Sequence, residues 1–192
     1  MQVSMVMVKQ NGYALTFVEY HQFLLQAHLD PPQSWDVTNA LVTPCPRAGA
    51  TVHTGIAGGY VAVATEAHDQ APPVQADVWE EVAEVTVQVP ESDLVVATLD
   101  GDGPDLPPLN TAGPGPCRVR VHARGRDTAI DAVMTEPVEH YLLQCWPAPA
   151  APEAIHKQTD NYGAELREAA EETGQRASSR KPDHGSGSGT DP

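Results

Sequence analysis

Positive charge is what this chain has least of. Eleven Lys and Arg stand against 26 Asp and Glu in 192 residues, for a net charge of −15. Between Arg47 and Arg118 there is no Lys or Arg at all. That interval holds Glu66, Asp69, Asp77, Glu80, Glu81, Glu84, Glu91, Asp93, Asp100, Asp102 and Asp105. The field sits on the first part of the chain, since residues 1–156 carry −13 and residues 157–192 carry −2. Such a surface repels free nucleic acid and anionic membranes and attracts cationic partners. Cysteine is scarce as well. Cys45, Cys117 and Cys145 are odd in number and lack metal-ligand spacing. They exclude a disulfide framework and read as buried reduced thiols of a cytoplasmic protein. No apolar run reaches the roughly 18 residues of a membrane span. The start, Met-Gln-Val-Ser-Met-Val-Met-Val-Lys, has no basic leader and no long apolar region, so it does not read as a signal peptide. P-loop, serine-elbow, dinucleotide-binding and His-Glu-x-x-His patterns are all missing. The case for an enzyme is therefore weak, and no cofactor is expected.

Proline and glycine, by contrast, are plentiful, at 18 and 15 residues, and they punctuate short runs of β character. The run Phe17 to Gln26 is read as one long strand near the middle of a sheet, apolar at both ends and polar around His21. Asn11-Gly12 before it reads as a hairpin turn whose partner strand is Val3 to Lys9. Ser34 caps a short helical turn that Trp35 anchors. Residues 50–54 and 60–66 read as strands around a Gly58-Gly59 turn. Val82 to Val89 alternates, with Ala83, Val85, Val87 and Val89 facing the core and Val82, Glu84, Thr86 and Gln88 facing out. Leu94 to Leu99 is a further strand. Cys117 to Arg124 alternates again, with Arg118, Arg120, His122 and Arg124 outward. Val138 to Trp146 is the last strand. About eight strands at this spacing, without helical crossovers, predict an all-β fold, an antiparallel β-sandwich or jelly roll, over residues 1–152. Residues 153–174 supply a short docking helix, capped by Asn161 and ended by Gly174. Residues 175–192, polar and Gly/Ser-rich, read as a disordered tail.

Three functional readings follow from the residues. In the first, Glu80, Glu81, Glu84, Asp100, Asp102 and Asp105 form a carboxylate surface that meets the Lys and Arg of a basic partner protein; nucleic acid and membrane are not partners. The second is a metal-dependent or small-ligand-binding enzyme in which the strand-borne His21, His122 and His140 converge. The third is a structural module, a homodimer joining the Arg118-Arg120-His122-Arg124 stripe to acidic edges. Against a nucleic-acid role for that stripe, it lacks interleaved aromatics, and pairing with acids on neighbouring strands is the simpler account. Asp100-Gly-Asp-Gly-Pro-Asp105 resembles the opening of a calcium loop but has Asp105 where glycine is needed and Thr111 in the last ligand position. It reads as a turn.

One resemblance adds to this. Tyr20-His21-Gln22-Phe23 after a β-run, followed by Trp35-Asp36, resembles the start of the competence protein ComJ family. The strand Gly115-Pro116-Cys117-Arg118-Val119-Arg120-Val121 is similar in placement to a family strand. Glu139-His140-Tyr141-Leu142-Leu143-Gln144 resembles uncharacterised actinobacterial relatives. The similarity spans about residues 15–125 and rests on short motifs. What it implies is a small, β-rich, cytoplasmic inhibitor or immunity-type protein whose partner is a nuclease.

Overall fold

The computed structural model describes residues 9–10, 12–26, 39–45, 49–91, 93–101, 103–110 and 112–179, with only the backbone for 9–10 and 173–179. The strands are β1 (Lys9–Gln10), β2 (Ala14–Glu19), β3 (Gln22–Gln26), β4 (Val42–Pro44), β5 (Ala50–His53), β6 (Gly58–Ala67), β7 (Glu81–Val89), β8 (Val95–Ala97), β9 (Gly115–Arg124), β10 (Val133–Met134), β11 (His140–Pro147) and β12 (Ala154–Gln158). One helix follows, α1 (Asn161–Ser179).

The fold is all-β, as the strand pattern predicts, but the sheet is mixed and continuous. Its order is β12-β7-β9-β11-β6-β2-β3-β5-β4, with β1 and β10 on β6 and β8 on β3. β11 and β10 both run parallel to β6, so the sheet is not the purely antiparallel one expected. No separate second sheet exists among the described residues. Instead the sheet bends where β2 and β3 share a single pair, Glu19↔Gln22. Beyond that pair β3 takes β5 on one side and β8 on the other. The two arms thus face each other, and β4 comes against β7. Val18, Val61, Val63, Val85, Val119, Val121 and Leu143 from one arm meet Phe23, Leu25, Val52 and Val96 from the other in one core. Each such side chain, fully buried, contributes about 1.5–3 kcal/mol.

The long strand through His21 is broken. Tyr20 and His21 have φ of 52° and 59°. Positive φ at both central residues makes a two-residue hairpin turn whose twist suits the flanking strands. Neither residue favours that conformation, so tertiary contacts impose it: Thr54 N donates to His21 O at 2.9 Å, and His21 N donates to Ala57 O at 3.3 Å. The Asn11-Gly12 reversal is also absent. Lys9 and Gln10 pair with Ala67 and Glu66, and Ala14 pairs with Val63. The chain therefore keeps its direction along β6 with one extra residue, a bulge. Its supposed partner residues 3–8, and the turn at Ser34-Trp35, lie outside the described residues. Gly58-Gly59 opens β6 rather than forming a turn. Gly59 has φ +110°, and a Cβ there would stand 1.8 Å from Met134 O, so only glycine admits β10 at this distance.

The C-terminal region differs as well. β12 pairs antiparallel with β7, where a helical segment is expected from residue 153. Asp160, not Asn161, caps α1: its Oδ1 accepts from Gly163 N at 2.8 Å. Asp127 accepts from the backbone N of both Asn161 and Tyr162. The backbone runs helically through Gly174 to Ser179, five residues into the supposed tail.

Candidate functional site

The arginine stripe on β9 is enclosed. β7 and β11 flank β9, which sets Glu84 opposite Arg120 and Gln144 opposite Arg120 from the other side. Glu84 Oε1 accepts from Arg120 Nε at 2.7 Å and from His156 Nε2 at 2.8 Å; its Oε2 accepts from Arg118 Nη2 at 3.2 Å. Arg118 also donates to the carbonyls of Ala151 and Pro152, and Arg120 to those of Pro72 and Pro73. The Arg120 guanidinium lies 5.0 Å over the Trp146 ring. Two proline-rich segments, around residues 72 and 151, therefore close over the outer face of the sheet, and Glu84, Arg118 and Arg120 are buried. Burial pushes the Glu84 carboxyl up, but hydrogen bonds from Arg120, His156 and Arg118 outweigh it and hold the group below the usual range.

A second ionic network lies where α1 meets the sheet. Arg126 is fully buried. Its Nε and Nη2 reach Asp160 Oδ2 and Oδ1 at 2.6 and 3.0 Å, and its Nη1 donates to Ala40 O at 2.7 Å. The guanidinium sits 5.3 Å from the Tyr162 ring. Glu81 Oε1 accepts from Asp160 N, and its Oε2 accepts from Arg167 Nη1, both at 3.2 Å. Burial, then the Asp160 carboxylate, push Glu81 up to about 7 against the pull of Arg126 and Arg167. Nearby, Glu139 accepts from Gly55 N, Ile56 N and Tyr141 Oη. Among the described residues, the four non-glycine residues with positive φ, Tyr20, His21, Ala40 and Asp131, all adjoin this region. Held strain of this kind collects where the surroundings over-determine the backbone.

The three histidines do not converge. His21 stacks on Tyr162 with ring centroids 6.0 Å apart, and its Nε2 lies 3.2 Å from Asp131 Oδ1. His140 meets the Tyr13 ring edge-on at 5.6 Å; burial, then Arg124, lower its pKa. His122 is buried against Trp79, with Nδ1 3.1 Å from Leu142 O and Nε2 without a partner. Burial holds His122 at about 4, so it is neutral, with Nδ1–H donating to the carbonyl. His53, also strand-borne, is likewise held at about 4 by burial first, then by Arg126 and His21. Among the described residues, no group of three His, Cys, Asp or Glu is arranged to hold a metal ion.

The predicted carboxylate surface divides. Glu81 and Glu84 are buried in salt bridges, Glu84 on the covered outer face, which corrects their expected place at a partner interface. Glu80 is half-buried, its Oε2 accepting from Gly125 N at 2.7 Å. Asp100 and Asp105 are exposed, as are Asp69, Asp77, Glu91 and Asp93; Asp102 lies outside the described residues. Asp100 and Asp105 belong to a connection that Leu94 and Leu109 pin together, with Leu109 N donating to Leu94 O at 2.7 Å. Among the described side chains, no Lys or Arg is exposed: Arg118, Arg120 and Arg126 are buried, and Arg124, Lys157 and Arg167 half-buried. Cys117 and Cys145 are buried and Cys45 half-buried. No helix of the described chain is long and apolar enough to cross a membrane.

No family model matches the chain. No curated protein matches it either. Among solved structures, the chain is similar to one titled "Crocagin biosynthetic gene J", at 15% identity and a TM-score of 0.33, over 75% of this chain and 96% of that one.

Proposed function

We propose that this protein is an acidic protein-binding module that occludes a basic enzyme, a nuclease being the kind its resemblance to the ComJ inhibitors implies. One observation carries the reading. Among the described side chains, Arg118, Arg120, Arg126 and Arg167 bond to Glu81, Glu84 and Asp160, and no Lys or Arg is exposed while Asp69, Asp77, Glu91, Asp93, Asp100 and Asp105 are. The sequence as a whole carries −15. A nuclease must present Lys and Arg to phosphate, and exposed carboxylates such as Asp100 and Asp105 can take those positions. Long-range attraction then steers encounter, and it weakens with salt. Inhibition comes from covering the cationic groove, with the charges setting on-rate and partner choice more than final affinity. A cytoplasmic setting fits the three free cysteines and this role.

The test is a titration of purified protein into basic nucleases, reading nuclease turnover and association rate from low to high salt. Stoichiometric inhibition with an on-rate that falls steeply with ionic strength supports the reading. Undiminished turnover across the panel, or an association rate indifferent to salt, overturns it.

A further inference from the structure

The outer face of the sheet carries an apolar patch that the acidic reading does not use. On β2, Leu15 and Phe17, with Tyr13 just before the strand, share a face opposite the core residue Val18. Tyr13 is 52% exposed and Leu15 56%. Phe17 pairs with Tyr60 of β6, and their rings meet edge-on at 5.3 Å. Two residues back along β6, Gly58 pairs with Val133 of β10, which is 77% exposed. Side chains from three adjacent strands thus form one surface. Tyr20, 74% exposed, stands at its end on the positive-φ turn. A bulky residue in that conformation carries a backbone cost. Aromatic enrichment on an exposed sheet face is the composition of a protein-binding centre, not of a solvated surface.

The charges around it select the occupant. Glu19 pairs with Gly58 in the same row as Val133, and the exposed Asp131 and Glu136 flank β10. Asp131 is fixed by its contact with His21. Among the described residues, Arg124 lies at the far end of this face, paired with His140 and over the Trp79 ring, 5.3 Å from its centroid. A second copy would bring Glu19, Asp131 and Glu136 against their equals. We infer that the face formed by Leu15, Phe17, Tyr20, Tyr60 and Val133 docks a basic partner protein that presents an apolar side chain among Lys and Arg. This rests on the proposed function and names where its desolvated contact is made: apolar anchor at the centre, acidic rim outside.

The probes are three synthetic peptides of equal length: alternating Lys-Leu, oligolysine of the same charge, and alternating Glu-Leu. The full chain should bind Lys-Leu at least tenfold more tightly than oligolysine, and Glu-Leu not at all. Leu15→Ser with Val133→Ser should bring Lys-Leu down to the oligolysine level and leave oligolysine unchanged; Val133→Ser alone, on the short outer strand, should lose part of it with an unaltered melting temperature. Unchanged Lys-Leu binding in these variants overturns the inference, as does equal binding of Glu-Leu. Concentration-dependent self-association that Leu15→Ser abolishes would assign the face to a second copy instead. A fall of several degrees in melting temperature for both variants would assign it to the chain's own residues 27–38. If the serine variants bind normally while Asp100→Lys and Asp105→Lys slow nuclease association, the docking face fails and the inhibitor reading stands. If no basic nuclease is inhibited but Lys-Leu still binds through this face, the reverse holds.

Discussion

Glu84 and Asp100 are the same chemistry put to opposite uses. Glu84 lies mid-strand on β7, between Arg118 and Arg120 and beneath proline-rich segments, and its charge is neutralised within the molecule. Asp100 lies in the connection after β8, exposed to solvent. Carboxylates enclosed with arginines here hold the fold, and those left exposed define the exterior. Removing one partner of a buried pair strands the other charge, whereas an exposed acid loses little by changing sign.

The sharpest way to break that contrast is at Arg126. Arg126→Met should leave Asp160 buried without its counter-ion and Glu81 with Arg167 alone, at a cost of about 3–5 kcal/mol, read as a melting temperature lower by roughly 10 °C or more. Glu84→Lys should do as much, because it sets a third cation against Arg118 and Arg120. A melting temperature unchanged in either variant would show that the networks are not structural.

Acid titration sharpens the same contrast. His53 and His122 are held at about 4, below their ordinary 6.5. Their contribution to stability is therefore present above pH 6.5 and lost as pH falls towards 4. Glu81, raised from 4.5 to about 7, acts the other way: its contribution is complete below pH 4.5 and lost as pH rises through 7. Chemical denaturation between pH 7 and 4.5 should thus show a fall in stability that Glu81→Gln makes steeper and His122→Gln makes shallower. A Glu81→Gln profile parallel to the parent would refute the assignment.

Asp100→Lys with Asp105→Lys should give the smallest effect on the fold, within about 0.5 kcal/mol, while slowing association with a basic nuclease several-fold at low salt. Thermal melts and stopped-flow mixing measure the two halves of that expectation. An unfolded double variant would mean that these acids too belong to the interior.

Two of the long strands were legible in alternation. Val82 to Val89 and Cys117 to Arg124 announce both strands and the side each residue takes. Alternation does not tell what lies over the outer side, so Glu84, Arg118 and Arg120 look exposed until β12 and the two proline-rich segments are placed. That covering is a contact between residues 30 or more positions apart, which no local pattern records. The Tyr20-His21 turn was hidden because it lacks the glycine or asparagine that usually signals positive φ. Arg126 and Asp160 were also missed. Asp160 carried a readable sign, an N-capping residue just before a helical stripe; Arg126, between Gly125 and Asp127, carried none.

The central place of β6 has a consequence for how the molecule comes into being. β6 takes β2 from early in the chain on one edge and β11, some 80 residues later, on the other. As the polypeptide leaves the ribosome, β6 must wait with one edge unpaired until β11 has been made. Such long-range pairing places folding towards the slow end of the scale, roughly milliseconds to seconds for sheet proteins of high contact order. The first part of what is made during that wait, from His68 to Cys117, carries no Lys or Arg, and Arg118, Arg120, Arg124 and Arg126 follow before β11. Like-charged nascent chains repel one another, so the acids of that first part keep an unfinished sheet from finding the wrong strand.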